Sequence, residues 1–237
     1  MNNFHRHCSL PSFLWLWAPL LVAVSLVFAF HLLSQDAYET WIGSEETGLL
    51  EGAHAVIPFV SAAFALALLI SKVSRHLPLL RVICIVLIAG NIYIGGEEAS
   101  WGQHWFGWET SDEWSAINDQ GETNLHNTSS WLDQKPRALL EIGVIVGGLV
   151  FPIVGYFYPA LWNWKLSFFY PSPQFFVTAL IAEFSKNSER LLSALGSDFR
   201  LFNRASEVQE TYFVWFLLLY ILLMYCRARR SHEGHQD

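Results

Sequence analysis

A chain of 237 residues with 53% hydrophobic and only 15% charged residues is too apolar for an ordinary soluble domain. Its formal charge of −7 at pH 7 excludes the basic surface that nucleic acid requires. The three cysteines, Cys8, Cys84 and Cys226, are scattered and odd in number, which predicts free thiols and neither a disulfide framework nor a thiolate metal site.

Several apolar runs approach the length needed to cross a hydrocarbon core of about 30 Å. A single integral membrane domain over 1–237 accounts for the whole chain. The first span is 13–33, with Pro19 near its start, where proline costs least. It is long for a signal-peptide core and no A-x-A site closes it, so it is expected to be retained as a helix. Residues 34–50 carry Asp36, Glu39, Glu45 and Glu46 and no Lys or Arg. The second span, 51–71, opens with Glu51 and His54. Lys72, Arg75 and Arg81 bracket a short turn, and the third span, 79–96, delivers Glu97 and Glu98.

The polar segment 97–135 follows. It holds eight acidic residues and no Lys or Arg between Glu97 and Gln134, interleaved with Trp101, Trp105, Trp108, Trp114 and Trp131. Short helices packed by these tryptophans are expected to fold it back over the bundle end. The fourth span is 138–160, where Gly143 and Gly147 have the spacing of a small-xxx-small packing face, with Gly148 beside them. Residues 166–184 are apolar but interrupted by Pro171, Pro173 and Glu183. They predict a broken span, a re-entrant segment or an interfacial helix. Residues 185–206 are amphipathic and basic, and 211–226 form the last span, followed by Arg227, Arg229 and Arg230. The expected fold class is all-α: a polytopic membrane helix bundle of about six transmembrane helices, one of them broken or re-entrant, with an outer polar Trp-rich segment.

Lys and Arg gather on cytoplasmic loops. The turn with Lys72, Arg75 and Arg81 and the tail with Arg227, Arg229 and Arg230 therefore point inward. With six crossings, the N- and C-termini are cytoplasmic in a multi-pass protein of the cell membrane. Glu46 and Glu51, Glu97 and Glu98, Glu122 and His126, and Glu207 and Glu210 then share the outer, periplasmic surface. With five crossings the last pair is separated from the others. Carboxylates near a bilayer are costly and are kept for a shared purpose, which favours six.

Glu97 and Glu98 adjoin at a low-dielectric boundary, which suits a proton donor, a proton acceptor or a metal ligand. If the third helix continues, Glu97, Trp101 and His104 share one face. Glu122 and His126, four apart, share a face of any helix there, and Asn118, Gln120, Asn124 and Asn127 surround them. Glu51-x-x-His54 has the spacing of carboxylate-bridged di-iron helices, with Glu97, Glu98, Glu122, Glu207 and Glu210 as further carboxylates. Glu207 and Glu210 also suit the first turn of the last helix. No Walker loop, G-x-S-x-G elbow, H-E-x-x-H or dinucleotide fingerprint is present.

The string EEASWGQHWFGWET…INDQGETNLHN resembles the pattern of an uncharacterised bacterial polytopic membrane-protein family: E-E-x-S-W-G-Q, then F-G, then N-x-Q-G-E-x-N-L-H-N. The match runs through Glu97, Glu98, Ser100, Trp101, Gly102, Gln103, Phe106, Gly107, Asn118, Gln120, Gly121, Glu122, Asn124, Leu125, His126 and Asn127. Glu46, Gly48 and Glu51 fit an acidic entrance to the second span, while His104 stands where the family pattern has a basic residue, usually Arg. The resemblance implies a polytopic membrane protein centred on this motif and brings no reaction with it.

The leading expectation is an integral-membrane enzyme with a carboxylate/His site at the outer membrane surface, a hydrolase or transferase acting on a lipid or lipid-linked substrate in the bilayer. Glu97, Glu98, Glu122 and His126 are the expected catalytic residues. Ser100, Trp101, Gln103, Asn118, Gln120, Asn124 and Asn127 are expected to bind substrate. Glu51, Glu98, Glu122 and His126 are the candidate ligands of a divalent metal ion, the one cofactor the sequence suggests. Two other readings stand beside this one. One is a proton- or cation-coupled transporter using Asn91, Glu97 and Glu98, and the other is a non-catalytic assembly or scaffold protein.

Overall fold

The structure, a computed structural model, describes residues 9–44, 48–118, 121–164 and 166–233, with all their side chains except those of His126, Ser130, Leu132, Asp133, Asn163, Ser231, His232 and Glu233. Every regular element among the described residues is helical. Five helices are long and apolar enough to cross a membrane: α1 (Phe13–Leu32), α2 (Leu49–Leu69), α3 (Pro78–Glu98), α4 (Gln134–Phe157) and the final helix, where Ala205–Arg230 qualifies. The protein is membrane-embedded. A further helix, α5 (Phe176–Ala194), precedes the final one, α6 (Ala205–Glu233).

α6 is the centre of the molecule. Val208, Tyr212, Phe213, Val214, Phe216, Leu219, Ile221, Leu223 and Met224 are buried on every side of it, the pattern of a helix with no solvent or lipid face. α2, α4 and α5 pack around it, and α3 packs on α2. Polar hooks fix α1: the Tyr212 hydroxyl donates to Pro19 O (2.7 Å) and the Trp215 indole donates to Leu14 O (3.1 Å). At the other end of α6, Arg227 donates to the carbonyls of Phe168 and Tyr170, both at 2.7 Å, and Tyr220 donates to Phe169 O at 2.9 Å. Those bonds hold the chain between α4 and α5 in short 3₁₀ turns, Ser167–Phe169 and Pro173–Phe175.

Residues 166–184 and 185–206 thus divide differently from their sequence reading. The boundary expected at 184–185 falls inside one helix, α5, which begins only after Pro173. Proline at the first position of a helix is well tolerated, and two prolines before it forbid an earlier start. Thr178, Ala179, Ala182, Ser185 and Ser188 form its buried face. These are small residues at helical spacing, which let α5 approach α6 closely. The glycine contact in α4 is also displaced. A side chain at Gly148 would clash with Ala179 Cβ, and one at Gly147 would meet Phe216 at 3.2 Å, whereas Gly143 faces open space. α4 is π-wound over Ile145–Val150, and that stretch is the part that meets α5.

Free thiols were expected throughout. Cys84 is buried and free, but Cys226 is disulfide-bonded, which corrects the expectation there.

Candidate functional site

At the end of the bundle where α2 and α6 begin and α3 finishes lies a cavity of about 290 Å³. α2 brings Glu51 and His54, α3 brings Glu97 and Glu98, α4 brings Arg137, and α6 brings Glu207 and Glu210. The last two lie inside α6 because the helix starts at Ala205, a turn and a half before the expected 211.

His54 sits at the focus and is 1% exposed. Its Nε2 lies 3.0 Å from Glu207 O and 2.8 Å from Thr211 Oγ1. A carbonyl oxygen only accepts, so Nε2 carries a ring proton. Thr211 sends its own hydroxyl proton to the same carbonyl at 3.0 Å. Nδ1, on the far side of the ring, is buried and makes no hydrogen bond. It faces Glu98 Oε2 at 3.6 Å, Glu207 Oε2 at 3.8 Å and Glu51 Oε2 at 4.0 Å. Two sets of metal-ligand atoms lie within 4.8 Å of one another, Glu51 with His54 and Glu98, and His54 with Glu207 and Glu210. Two arginines stand behind the carboxylates: Arg137 Nη1 is 2.5 Å from Glu210 Oε1, and Arg204 Nη2 is 3.3 Å from Glu207 Oε1. Arg137 also donates to Ser206 O and Gln209 Oε1, both at 3.3 Å, and Arg204 to Gly43 O at 2.7 Å.

The polar segment covers this cavity. α3 does not continue past Glu98. Ser100 and Trp101 take positive φ of 44° and 54°, and Gly102 follows at 105°. Only glycine adopts the last at little cost, and three left-handed residues in succession reverse the chain. The expected shared face of Glu97, Trp101 and His104 is therefore not helical, yet the turn still brings the Trp101 indole to Glu97 Oε1 at 2.7 Å. Glu97 Oε2 accepts from the backbone of Leu125 at 2.7 Å.

Glu122 is the second hub. Its Oε2 accepts from Ser100 Oγ (2.9 Å), Asn124 Nδ2 (2.6 Å) and Asn127 Nδ2 (3.2 Å), and Oε1 lies 3.0 Å from His104 Nε2. Asn118 Nδ2 donates to Asn124 Oδ1 at 2.9 Å, and its own Oδ1 accepts from Glu122 N at 3.1 Å. Gln103 Oε1 accepts from Thr123 N at 2.7 Å. Ser100 is no activated nucleophile in this arrangement. Its proton goes to Glu122, and the His104 nitrogen 3.1 Å away is the same Nε2 that faces the carboxylate.

The expected site residues therefore sort into two groups. Glu51 and Glu98 converge on the cavity, joined by His54, Glu207 and Glu210, which the sequence offered only as spare carboxylates and an E-x-x-H spacing. Glu97, Ser100, Trp101, Gln103, Asn118, Glu122, Asn124 and Asn127 build the cover. Of these, Glu97, Glu122 and Asn127 also line the cavity. Glu122 is thus not among the clustered ligand atoms. The helix expected to align it with His126 is absent, since only His126–Thr128 forms a 3₁₀ turn. The His126 side chain, Gln120 and Glu46 lie outside the described residues. The tryptophans pack the cover in part. Trp101 lies against Gly96, Trp105 against Phe59 and Trp108 on Phe106, yet Trp105, Trp108 and Trp131 are 53%, 41% and 64% exposed, and amide-to-carboxylate bonds tie the segment together. Arg137 and Thr211 carried no sequence signal of their own.

No protein-family model, no curated protein and no solved structure matches this chain, so its site is interpreted from its own geometry.

Proposed function

We propose that this chain is an integral-membrane enzyme of hydrolase or transferase type that acts on a lipid or lipid-linked substrate. One observation carries the reading: the cavity changes polarity with depth in the same sense as a bilayer. Glu98, Arg137 and Glu210 line it at one level, while Ile94, Leu140, Phe213 and Val214 line it about one helical turn further along α3, α4 and α6. Its walls come from α3 and α4, which each pack on other helices but not closely on one another. An amphiphile entering between them would place its headgroup among the charged residues and its chain against the apolar ones.

The same frame supports an orientation. α5 runs antiparallel to α6, since Phe175 packs on Phe216 and the Lys186 partner Glu141 also neighbours Gln209. This supports six crossings, with α5 as the sixth. The end away from the cavity carries Lys72, Arg75, Arg229 and Arg230, which supports cytoplasmic termini and a periplasmic cavity. Coupled transport is less well supported. Beyond the cavity Leu68, Leu80, Cys84 and Met224 form a buried apolar cluster, so among the described residues no polar track continues to the other end.

The test is a comparison of membrane lipids in cells with and without the gene. At least one lipid or lipid-linked species should accumulate in the deletion strain, return to normal with the wild-type chain, and stay elevated with Leu140→Trp, which fills the gap between α3 and α4. Identical lipid profiles in all strains would sink the reading.

A further inference from the structure

The surroundings of His54 point to a ligand. Nε2 is held at Glu207 O, while Nδ1, buried and without a hydrogen bond, faces three carboxylate oxygens at 3.6, 3.8 and 4.0 Å. Buried carboxylates gathered round one nitrogen repel one another unless a cation stands between them. We propose that Glu51, His54, Glu98 and Glu207 hold one divalent transition-metal ion.

Four features support the assignment. First, the donors come from three helices, α2, α3 and α6: ligand atoms of Glu51, His54 and Glu98 lie within 4.8 Å of one another, and Glu207 Oε2 lies 3.8 Å from the same His54 Nδ1. Ligand atoms about 2.1 Å from an ion in a tetrahedral array lie about 3.4 Å apart, so these side chains need only draw inward to close on an ion. Second, the other face of the ring is fixed as metal-bound histidines are: its N–H donates to a carbonyl oxygen, braced by Thr211. Third, the charges favour a cation: the carboxyls of Glu51, Glu98, Glu207 and Glu210 outnumber the guanidinium groups of Arg137 and Arg204 beside them, and Glu97 and Glu122 line the same cavity. Fourth, one imidazole among carboxylates suits manganese, iron, cobalt or zinc, and magnesium and calcium less, since those prefer oxygen alone. Glu210, paired with Arg137, is a neighbour able to take a bound water or substrate proton. A metal in this place would lower the pKa of a bound water or polarise an ester oxygen. The ion is thus the electrophile that the proposed lipid chemistry requires, and to that extent this inference rests on the proposed function.

The experiment uses the full chain in lipid nanodiscs, stripped with chelator and titrated with Co2+ and then with Zn2+ in competition. About one Co2+ per chain should bind, with visible absorption bands that Zn2+ abolishes. His54→Ala and Glu98→Gln should each weaken binding by at least about 100-fold, and Thr211→Val by about 10-fold with unchanged stoichiometry. Thr211 is a positioning residue, so the loss of affinity without loss of a site is its signature. Glu141→Gln, which alters a carboxylate outside the cage, should leave affinity unchanged. Circular dichroism and gel filtration report folding of every variant, and the wild-type spectrum stands independently of all of them. A wild type that takes up no Co2+ at micromolar concentration overturns the proposal and leaves an imidazolium in a carboxylate cage. Binding that survives in His54→Ala overturns it as well. Metal binding in a chain whose loss changes no lipid would defeat the function proposed above and leave this centre standing.

Discussion

Glu122 shows how one carboxylate organises a whole loop. It gathers donors from Ser100, Asn124 and Asn127 and faces His104, residues that lie on both sides of a long excursion of the chain. Removing it takes one acceptor from several side chains at once, and each buried group left unsatisfied costs about 1–3 kcal/mol. Glu122→Ala should therefore lower the thermal midpoint of the purified protein by several degrees and make the segment after Glu98 the first site of limited proteolysis. Glu122→Gln, which keeps one acceptor oxygen, should fall between the two. An unchanged midpoint for Glu122→Ala would show that the cover is held by something else. The sequence made Glu122 conspicuous through its amide neighbours, but it could not separate a residue that holds the cover from one that faces the cavity. That distinction depends on where the left-handed turn at Ser100–Gly102 sends the chain, and positive φ at serine and tryptophan has no compositional signal. Glu51 and His54 were legible because a three-residue spacing on a helix fixes a shared face. Glu207 was ambiguous, since an acidic first turn is expected of any helix and the same residue serves both purposes.

At the level of helices, the decisive approach is that of α3 to α2. A Cβ on Gly95 would lie 2.9 Å from the carbonyl oxygen of Ala55, a backbone atom that cannot swing aside. Gly95→Val must push the two helices apart at a cost of about 1–3 kcal/mol. Glu98 is one turn further along α3, and Glu51 and His54 are on the first turns of α2. The variant should retain its helix content by circular dichroism yet bind Co2+ at least several-fold more weakly than wild type. Full affinity with full helicity would mean that Glu98 is not placed by this contact. The existence of the long helices was written in the lengths of the apolar runs. Their ends were less clear, because α6 extends into a polar start and α5 begins late, behind Pro171 and Pro173. Gly147 was singled out by its spacing with Gly143. The structure uses it with Gly148 instead, since the face of α4 that turns inward is set by its neighbours and by the π-wound stretch.

For the molecule as a whole, charge is divided between the two ends, with the carboxylate cage at one and Lys72, Arg75, Arg229 and Arg230 at the other. The proposed six-crossing orientation predicts how reagents reach each end. In a chain freed of its native cysteines, Glu113→Cys should react with a membrane-impermeant maleimide in intact cells, and Arg75→Cys only after permeabilisation. The reverse pattern would invert the proposed orientation, and equal labelling would reject it. All-α architecture and membrane embedding were evident from composition and the lengths of the apolar runs. The route by which α5 returns alongside α6 was not, because small residues with Lys186 and Glu183 make that helix too polar for a hydropathy argument.

The most enclosed of these helices is also the last in order of synthesis. Ala205–Arg230 supplies the spanning window with 61% of its residues buried, against 17% to 39% for the other four. During translation the earlier helices enter the bilayer without the partner that fills their centre. Glu51, His54 and Glu98 meet neither Glu207 nor Thr211 until that helix arrives. Until then the carboxylates face one another with the imidazole ring unanchored. Assembly of the site is thus a late event of biogenesis, timed by the insertion of one helix, and chains released before Glu207 would be open bundles and ready substrates for membrane proteases.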